Sequence, residues 1–163
     1  MNSGRSIHIF AVGNPYYGDD GVGQAILEIL QSAPEMKDVV FYNAQTDALS
    51  LIDRFSADGL NIIIDAACMG YDSGAVVRFT PDETQLKIKS DNLSLHGFGL
   101  PEAFQMATQI GVMPANLVII GIEPAVIEMN EPLSEPVRAA IPEAIKLINN
   151  EVKLYESAHD FNH

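Results

Sequence analysis

The chain has 163 residues, 47% of them hydrophobic, and a formal net charge of −13. These figures suit a single globular domain over residues 1–163 and exclude general disorder. The excess of acid argues against nucleic acid and anionic membranes as partners, since both need Lys/Arg-rich patches, and leaves room for a basic protein.

A single cysteine, Cys68, excludes an internal disulfide framework and fits a reducing cytoplasm. No apolar run reaches the ~18 residues of a membrane span. The N-terminus enters a strand with no signal-peptide core.

The apolar run at residues 7–12 predicts a buried strand. After it comes Gly13-Asn14-Pro15-Tyr16-Tyr17-Gly18-Asp19-Asp20-Gly21-Val22-Gly23, a glycine-rich turn with two adjacent carboxylates. Phosphate cradles also use glycines there, but they offer N–H groups and often a lysine to an anion. This turn carries no cation, so its natural guest is a metal ion or a cationic group. Residues 22–30 predict a helix with Val22, Ala25, Ile26, Ile29 and Leu30 on one face, capped by Asp19 or Asp20.

Residues 39–42 predict a second strand ending at Asn43. Thr46 or Asp47 then caps a short helix whose apolar face is Leu49, Leu51, Ile52 and Phe55. The continuous apolar run at 60–64 predicts a central strand, buried on both faces and ending at Asp65. The turn Asp72-Ser73-Gly74 leaves no room for a crossover, so residues 75–79 are expected as an antiparallel edge strand. Residues 81–98 read as polar and irregular, and Pro101 suits the first turn of a helix reaching about Ile110. The last strand, 117–122, stops at Glu123-Pro124. Ser134 and Pro136 start a helical segment to about Tyr155, kinked or split at Pro142, with residues 156–163 as a frayed tail.

Alternating strands and helices imply an α/β fold, three layers α/β/α around a mostly parallel sheet. Right-handed crossovers place the strand carboxyl ends on one edge. Asp19, Asp20, Asn43, Asp65 and Glu123 then share that edge, and His96 reaches it from a loop. Two carboxylates and an imidazole with open positions suit a divalent first-row metal.

Each residue also has a plainer role. Asp19 is expected as a helix cap or as support behind the ligands, and Asp20 alone would serve as a cap. Asp65 is harder to dismiss, because a carboxylate ending an apolar strand needs a partner. His96, beside Gly97, would satisfy a loop carbonyl. Glu123 would brace a loop, and His8 would be a packed histidine. His159 and His163 are expected as mobile surface residues. Cys68 has no base nearby in sequence, and no Gly-x-Ser-x-Gly elbow supports a serine triad. The glycines do not form the G-x-G-x-x-G of a dinucleotide site.

Together the turn GNPYYGDDGVG, the run IIIDA, the segment SLHGFGL and the later IIGIEP resemble the hydrogenase maturation endopeptidases, over about residues 7–150. The resemblance implies a five-stranded twisted mixed sheet between helices. It implies a cytoplasmic, monomeric endopeptidase that removes the C-terminal extension of a [NiFe] hydrogenase large-subunit precursor. The metal-binding and catalytic set falls on Asp20, Asp65 and His96. Nickel carried by the precursor is the recognised ion, with zinc or another divalent ion as a surrogate. One departure stands out: the family commonly reads Asp-Gly-Gly-Thr or similar after strand two, where this chain has Asn43-Ala44-Gln45-Thr46-Asp47. An amide there cannot act as a base, so a non-catalytic nickel-recognition homologue is the alternative.

Overall fold

The computed structural model describes residues 6–84 and 99–159. Among these, β1 (Ile7–Val12), α1 (Val22–Gln31), β2 (Val40–Gln45), β3 (Leu60–Ala66) and β4 (Val76–Phe79) are followed by α2 (Leu100–Gln109), β5 (Leu117–Ile122) and α3 (Glu135–Ala158). Short 3-10 turns at Gly18–Gly21 and Ala48–Arg54 lie beside β1 and β2 in the chain. The five strands form one sheet in the order β2-β1-β3-β5-β4. Every pairing is parallel except β4 with β5, which is antiparallel at the edge. The tight turn before β4 dictates that exception, as its sequence implies.

Strand alternation divides the core into two. Ile9, Ala11, Ile62, Ile64, Ile120 and Ile122 pack with α1 and α3 on one face. Phe10, Val12, Ile63 and Ile119 pack with Leu51, Leu100 and Phe104 on the other. Both faces are covered, which is why β3 and β5 read as unbroken apolar runs. Each fully buried isoleucine or phenylalanine contributes about 1.5–3 kcal/mol of transfer free energy.

Several expectations need adjusting. The buried stripe of α1 is Val22, Gly23, Ile26, Leu27 and Leu30, whereas Ile29 is 48% exposed. The helix lies on its glycine: a Cβ at Gly23 would stand 2.7 Å from the Ile64 carbonyl oxygen and 3.3 Å from that of Val12. This close approach rotates Leu27 inward and Ile29 outward. The short helix after β2 is a 3-10 segment with Ala48 and Leu51 buried, and Asp47 caps it through its carbonyl, which accepts from Ser50 N.

Pro142 neither splits nor ends α3, which is helical from Glu135 to Ala158. Pro142 faces solvent, and Val137, Ala140, Ala144, Ile148 and Val152 seat both halves on the sheet. Packing on either side outweighs the one bond that a proline removes. Residues 156–158, expected to be frayed, belong to the helix, and residues 160–163 lie outside the described residues. Arg78 of β4 reaches across to Glu151 of α3 with an Nε–Oε2 distance of 2.5 Å.

The chain leaves β1 for β2 on one side and returns to β3 on the other. α1 covers one face and the Ala48–Arg54 turn the other. Between β1 and β3 the order reverses, and open α/β sheets bind ligands in the crevice outside such a switch point.

Gly23→Ala tests the close approach. Helix propensity alone would favour alanine by about 1 kcal/mol. Overpacking against two backbone carbonyls should instead destabilise the protein by about 1–3 kcal/mol. A lower urea midpoint is expected; a higher one would show that α1 does not rest on Gly23.

Candidate active site at the carboxyl edge of the sheet

The glycine-rich turn is closed on itself. Gly13 has φ +139°, and a Cβ there would lie 2.0 Å from the Asp20 carbonyl oxygen, so only glycine lets the chain double back. Gly13 N donates to Gln45 O at 2.7 Å, joining the loops after β1 and β2. Asn14 N donates to Asp20 Oδ2 at 2.8 Å, and Tyr16 N to Asn14 Oδ1 at 2.9 Å. Tyr17 N, Asp19 N and Asp20 N donate to the carbonyls of Asn14, Val126 and Tyr17. With these N–H groups engaged internally, the turn is no phosphate cradle.

Asp19 and Asp20 point to different tasks, and neither caps α1. The N-cap of α1 is Gly21, with no side-chain bond. Asp19 is fully buried. Its Oδ2 accepts from Ala125 N and Val126 N, both at 2.8 Å, and from Ser134 Oγ at 2.7 Å. Its Oδ1 accepts from Ser134 N at 2.7 Å. Ser134 is the N-cap of α3, so the charge also sits at the positive end of that helix. Burial alone would raise the Asp19 pKa, but the bonds from Val126, Ser134 and Ala125 outweigh it and hold the pKa below its ordinary value.

Asp20 and Asp65 form the acidic pair. β3 runs past Asp65 to Ala66, and Asp65 pairs in register with Val12 of β1 and Gly121 of β5, at the mouth of the crevice. The residue is only partly exposed. Dense packing around its carboxyl desolvates it, and that burial pushes its pKa well above the ordinary value. The charge of Asp20 raises it further, against one lowering bond from the Ala66 backbone. Two carboxylates this close disfavour each other's charge.

The neighbouring groups are supports. Glu123 is buried, and its Oε1 accepts from Met69 N at 2.8 Å and Tyr71 N at 3.2 Å, bracing the loop after β3 as expected. Cys68 in that loop is partly buried. Burial, then the charges of Glu123 and Asp20, push its thiol pKa up, which opposes a thiolate nucleophile. His8 is packed, bonding Ser6 Oγ at 2.9 Å and Arg54 O at 2.7 Å. His159 is exposed but held: its Nδ1 donates to Tyr155 O at 2.9 Å and its ring lies 4.2 Å from that of Tyr155.

His96 and His163 lie outside the described residues. Among the described residues no three His, Cys, Asp or Glu side chains converge as a metal site. The structure thus brings together Asp20 and Asp65 of the expected set.

Two features escaped the sequence reading. Gln24, in the first turn of α1, donates through Nε2 to Gly13 O at 2.9 Å and Asn43 Oδ1 at 3.1 Å. Its Oε1 is buried and has no partner among the described residues. Gln45 adopts φ +54°, in the left-handed region that costs most residues about 1–3 kcal/mol. The one available signal was the family's glycines, which fall on Ala44 and Gln45.

The two buried carboxylates should respond oppositely to the same change. Asp19→Asn sets an NH2 group among backbone donors and should destabilise by about 1–3 kcal/mol. Asp65→Asn removes a disfavoured charge and should stabilise at pH 7, by about 1.4 kcal/mol for each pKa unit of the raise. The raised Asp65 pKa gives stability that is full below the unfolded value of 3.8 and lost as pH rises through the folded value. The lowered Asp19 pKa gives stability present above 3.8 and lost as pH falls through its folded value. Denaturant titrations of both variants across pH, without metal, check both signs.

Residues 25–151 match the family described as hydrogenase maturation protease. That stretch includes Asp65 and the position of His96, though not Asp20. HupD of Rhizobium leguminosarum bv. viciae, a hydrogenase expression/formation protein, is 30% identical over 86% of this chain and 70% of its own length. HupD of Thiocapsa roseopersicina is 29% identical over 76% of this chain, and the match spans 57% of that relative, little more than half its length. The hydrogenase maturating endopeptidase HybD from E. coli shares the fold, with a TM-score of 0.74 at 22% identity over 91% of this chain and 92% of HybD. Family match, relatives and five-stranded α/β architecture agree: the chain belongs to the hydrogenase maturation protease family.

Proposed function

We propose that the protein is an endopeptidase that removes the C-terminal extension of a nickel-loaded [NiFe] hydrogenase large-subunit precursor. The observation that supports this most directly is the Asp20–Asp65 pair, whose mutual repulsion at the switch-point crevice calls for a cation. In this reading the precursor brings nickel as part of the substrate, and His96 joins the two carboxylates as the imidazole ligand. Such a set leaves coordination positions for the precursor's own ligands or a water. Because burial and the Asp20 charge raise the Asp65 pKa, protons would compete with a metal ion for that carboxyl, and metal affinity in this reading falls as pH falls. A zinc or other divalent ion would serve as surrogate, supplying Lewis-acid polarisation of a carbonyl when bound.

The protein acts in the cytoplasm as a monomer in this reading. Asn43 favours a second one, a nickel-recognition homologue without turnover, since its side chain offers an amide where an acid is common in the family. Cleavage assays separate the two. Wild-type protein should shorten nickel-loaded precursor, leave nickel-free precursor and a metal-free peptide across the processing site intact, and lose at least about 100-fold in rate as His96→Ala or Asp65→Asn. Full processing by both variants would remove the metal-site reading, and binding without cleavage by wild type would leave the recognition homologue.

A further inference from the structure

Asn43 has a fixed orientation that backbone groups alone decide. Gln45 N, a donor, stands 2.9 Å from one terminal atom of the Asn43 amide, so that atom must be the oxygen. The Gln24 amide faces this oxygen at 3.1 Å and the Gly13 carbonyl at 2.9 Å. Two acceptors can only be met by NH2, so Gln24 Nε2 faces them, and Gln24 Oε1 is left buried with no partner among the described residues. Exchanging oxygen and nitrogen in either amide sets donor against donor or acceptor against acceptor. What remains is Asn43 Nδ2. Asn43 is exposed at the carboxyl end of β2, in register with Ala11, and no described residue accepts from that NH2.

The network is tied to the acidic pair by one peptide step. Gly13, whose carbonyl accepts from Gln24, precedes Asn14, whose N–H donates to Asp20 Oδ2. An aspartate at 43 would accept from Gln45 N and Gln24 Nε2 equally well, so scaffolding does not require an amide. The amide adds only an outward pair of N–H donors. Around it the segments 13–21, 43–47, 65–75 and 123–134 carry Asp and Glu but no Lys or Arg. An anionic acceptor would be repelled there, whereas a neutral carbonyl would not.

We propose that Asn43 is a substrate-contacting residue whose Nδ2 donates a hydrogen bond to a backbone carbonyl of the segment being cleaved, with Gln24 as its positioning residue. The inference rests on the endopeptidase reading. It makes residue 43 of this chain a donor, where an aspartate would be an acceptor or base.

Asn43→Asp and Asn43→Ala decide it together, because the first keeps both accepted bonds but exchanges the donor for a charge, and the second removes the donor without adding one. With nickel-loaded precursor, both should slow cleavage by about 100-fold, as loss of one preorganised donor does. Asn43→Asp should keep the wild-type thermal midpoint. A wild-type or faster rate in Asn43→Asp overturns the proposal, and so does a wild-type rate in Asn43→Ala. Binding to immobilised nickel-loaded precursor provides a separate readout. If wild type binds without cleaving, the endopeptidase reading fails, while the donor survives only if both variants bind at least about tenfold more weakly, one lost neutral hydrogen bond. Unchanged binding overturns it.

Discussion

A buried charge organises the carboxyl edge. Asp19 is removed from water, a position that would be prohibitive for a carboxylate without compensation. It is compensated by three backbone N–H groups, one hydroxyl and the N-terminus of a long helix. Those donors come from residues 125–134, so the same bonds fix the loop after β5 and the start of α3 against the turn after β1. Asp19 N donating to Val126 O, and Asn130 N to Tyr16 O, close the junction from both sides. The turn that presents Asp20 therefore has its shape set from across the sheet as well as by its own internal bonds.

Environment assigns opposite roles to neighbouring carboxylates. Asp19 is surrounded by donors that favour its charged form, and it serves as a structural anion. Asp65 is surrounded by apolar strand and faces another negative charge, so its charged form is disfavoured. The first state is satisfied by the fold; the second has one backbone bond, from Ala66, against burial and a like charge. Gln24 Oε1 shows the same division on a smaller scale, since a buried acceptor without a partner is uncommon in a settled core. Tension concentrated at the switch point, with a fully packed core beneath, is the pattern expected where a fold reserves a site for a partner.

The sheet was largely legible because its information is local. Ile/Val runs mark β1, β3 and β5, the short turn at 72–74 forces β4 to run back, and helical spacing marks α1 and α3. What misled was rotation and continuity. Spacing cannot tell whether Ile29 or Leu27 faces inward when a glycine lets the helix sink onto strand carbonyls. Propensity cannot see that a proline on an exposed face is tolerated when both sides of it are anchored. At the site, Asp65 was legible as a polar residue at the end of an apolar strand. For Asp19 a supporting role was expected, but what it supports was not legible, because its bonds go to residues more than a hundred positions away.

The amide at position 43 also fits the electrostatics of the whole edge. The Asp20–Asp65 pair already raises one carboxyl pKa, and the chain carries a net charge of −13. A third carboxylate hydrogen-bonded into the same loops would add to that repulsion, since like charges around one site disfavour each other's ionised form. It would also strengthen the pull on any stray cation. An amide in the same place keeps both accepted bonds, one from Gln45 N within β2 and one from Gln24 of α1, and adds no charge beside the pair at the crevice. In this chain position 43 thus exchanges an acid for a neutral donor on the same scaffold of accepted bonds.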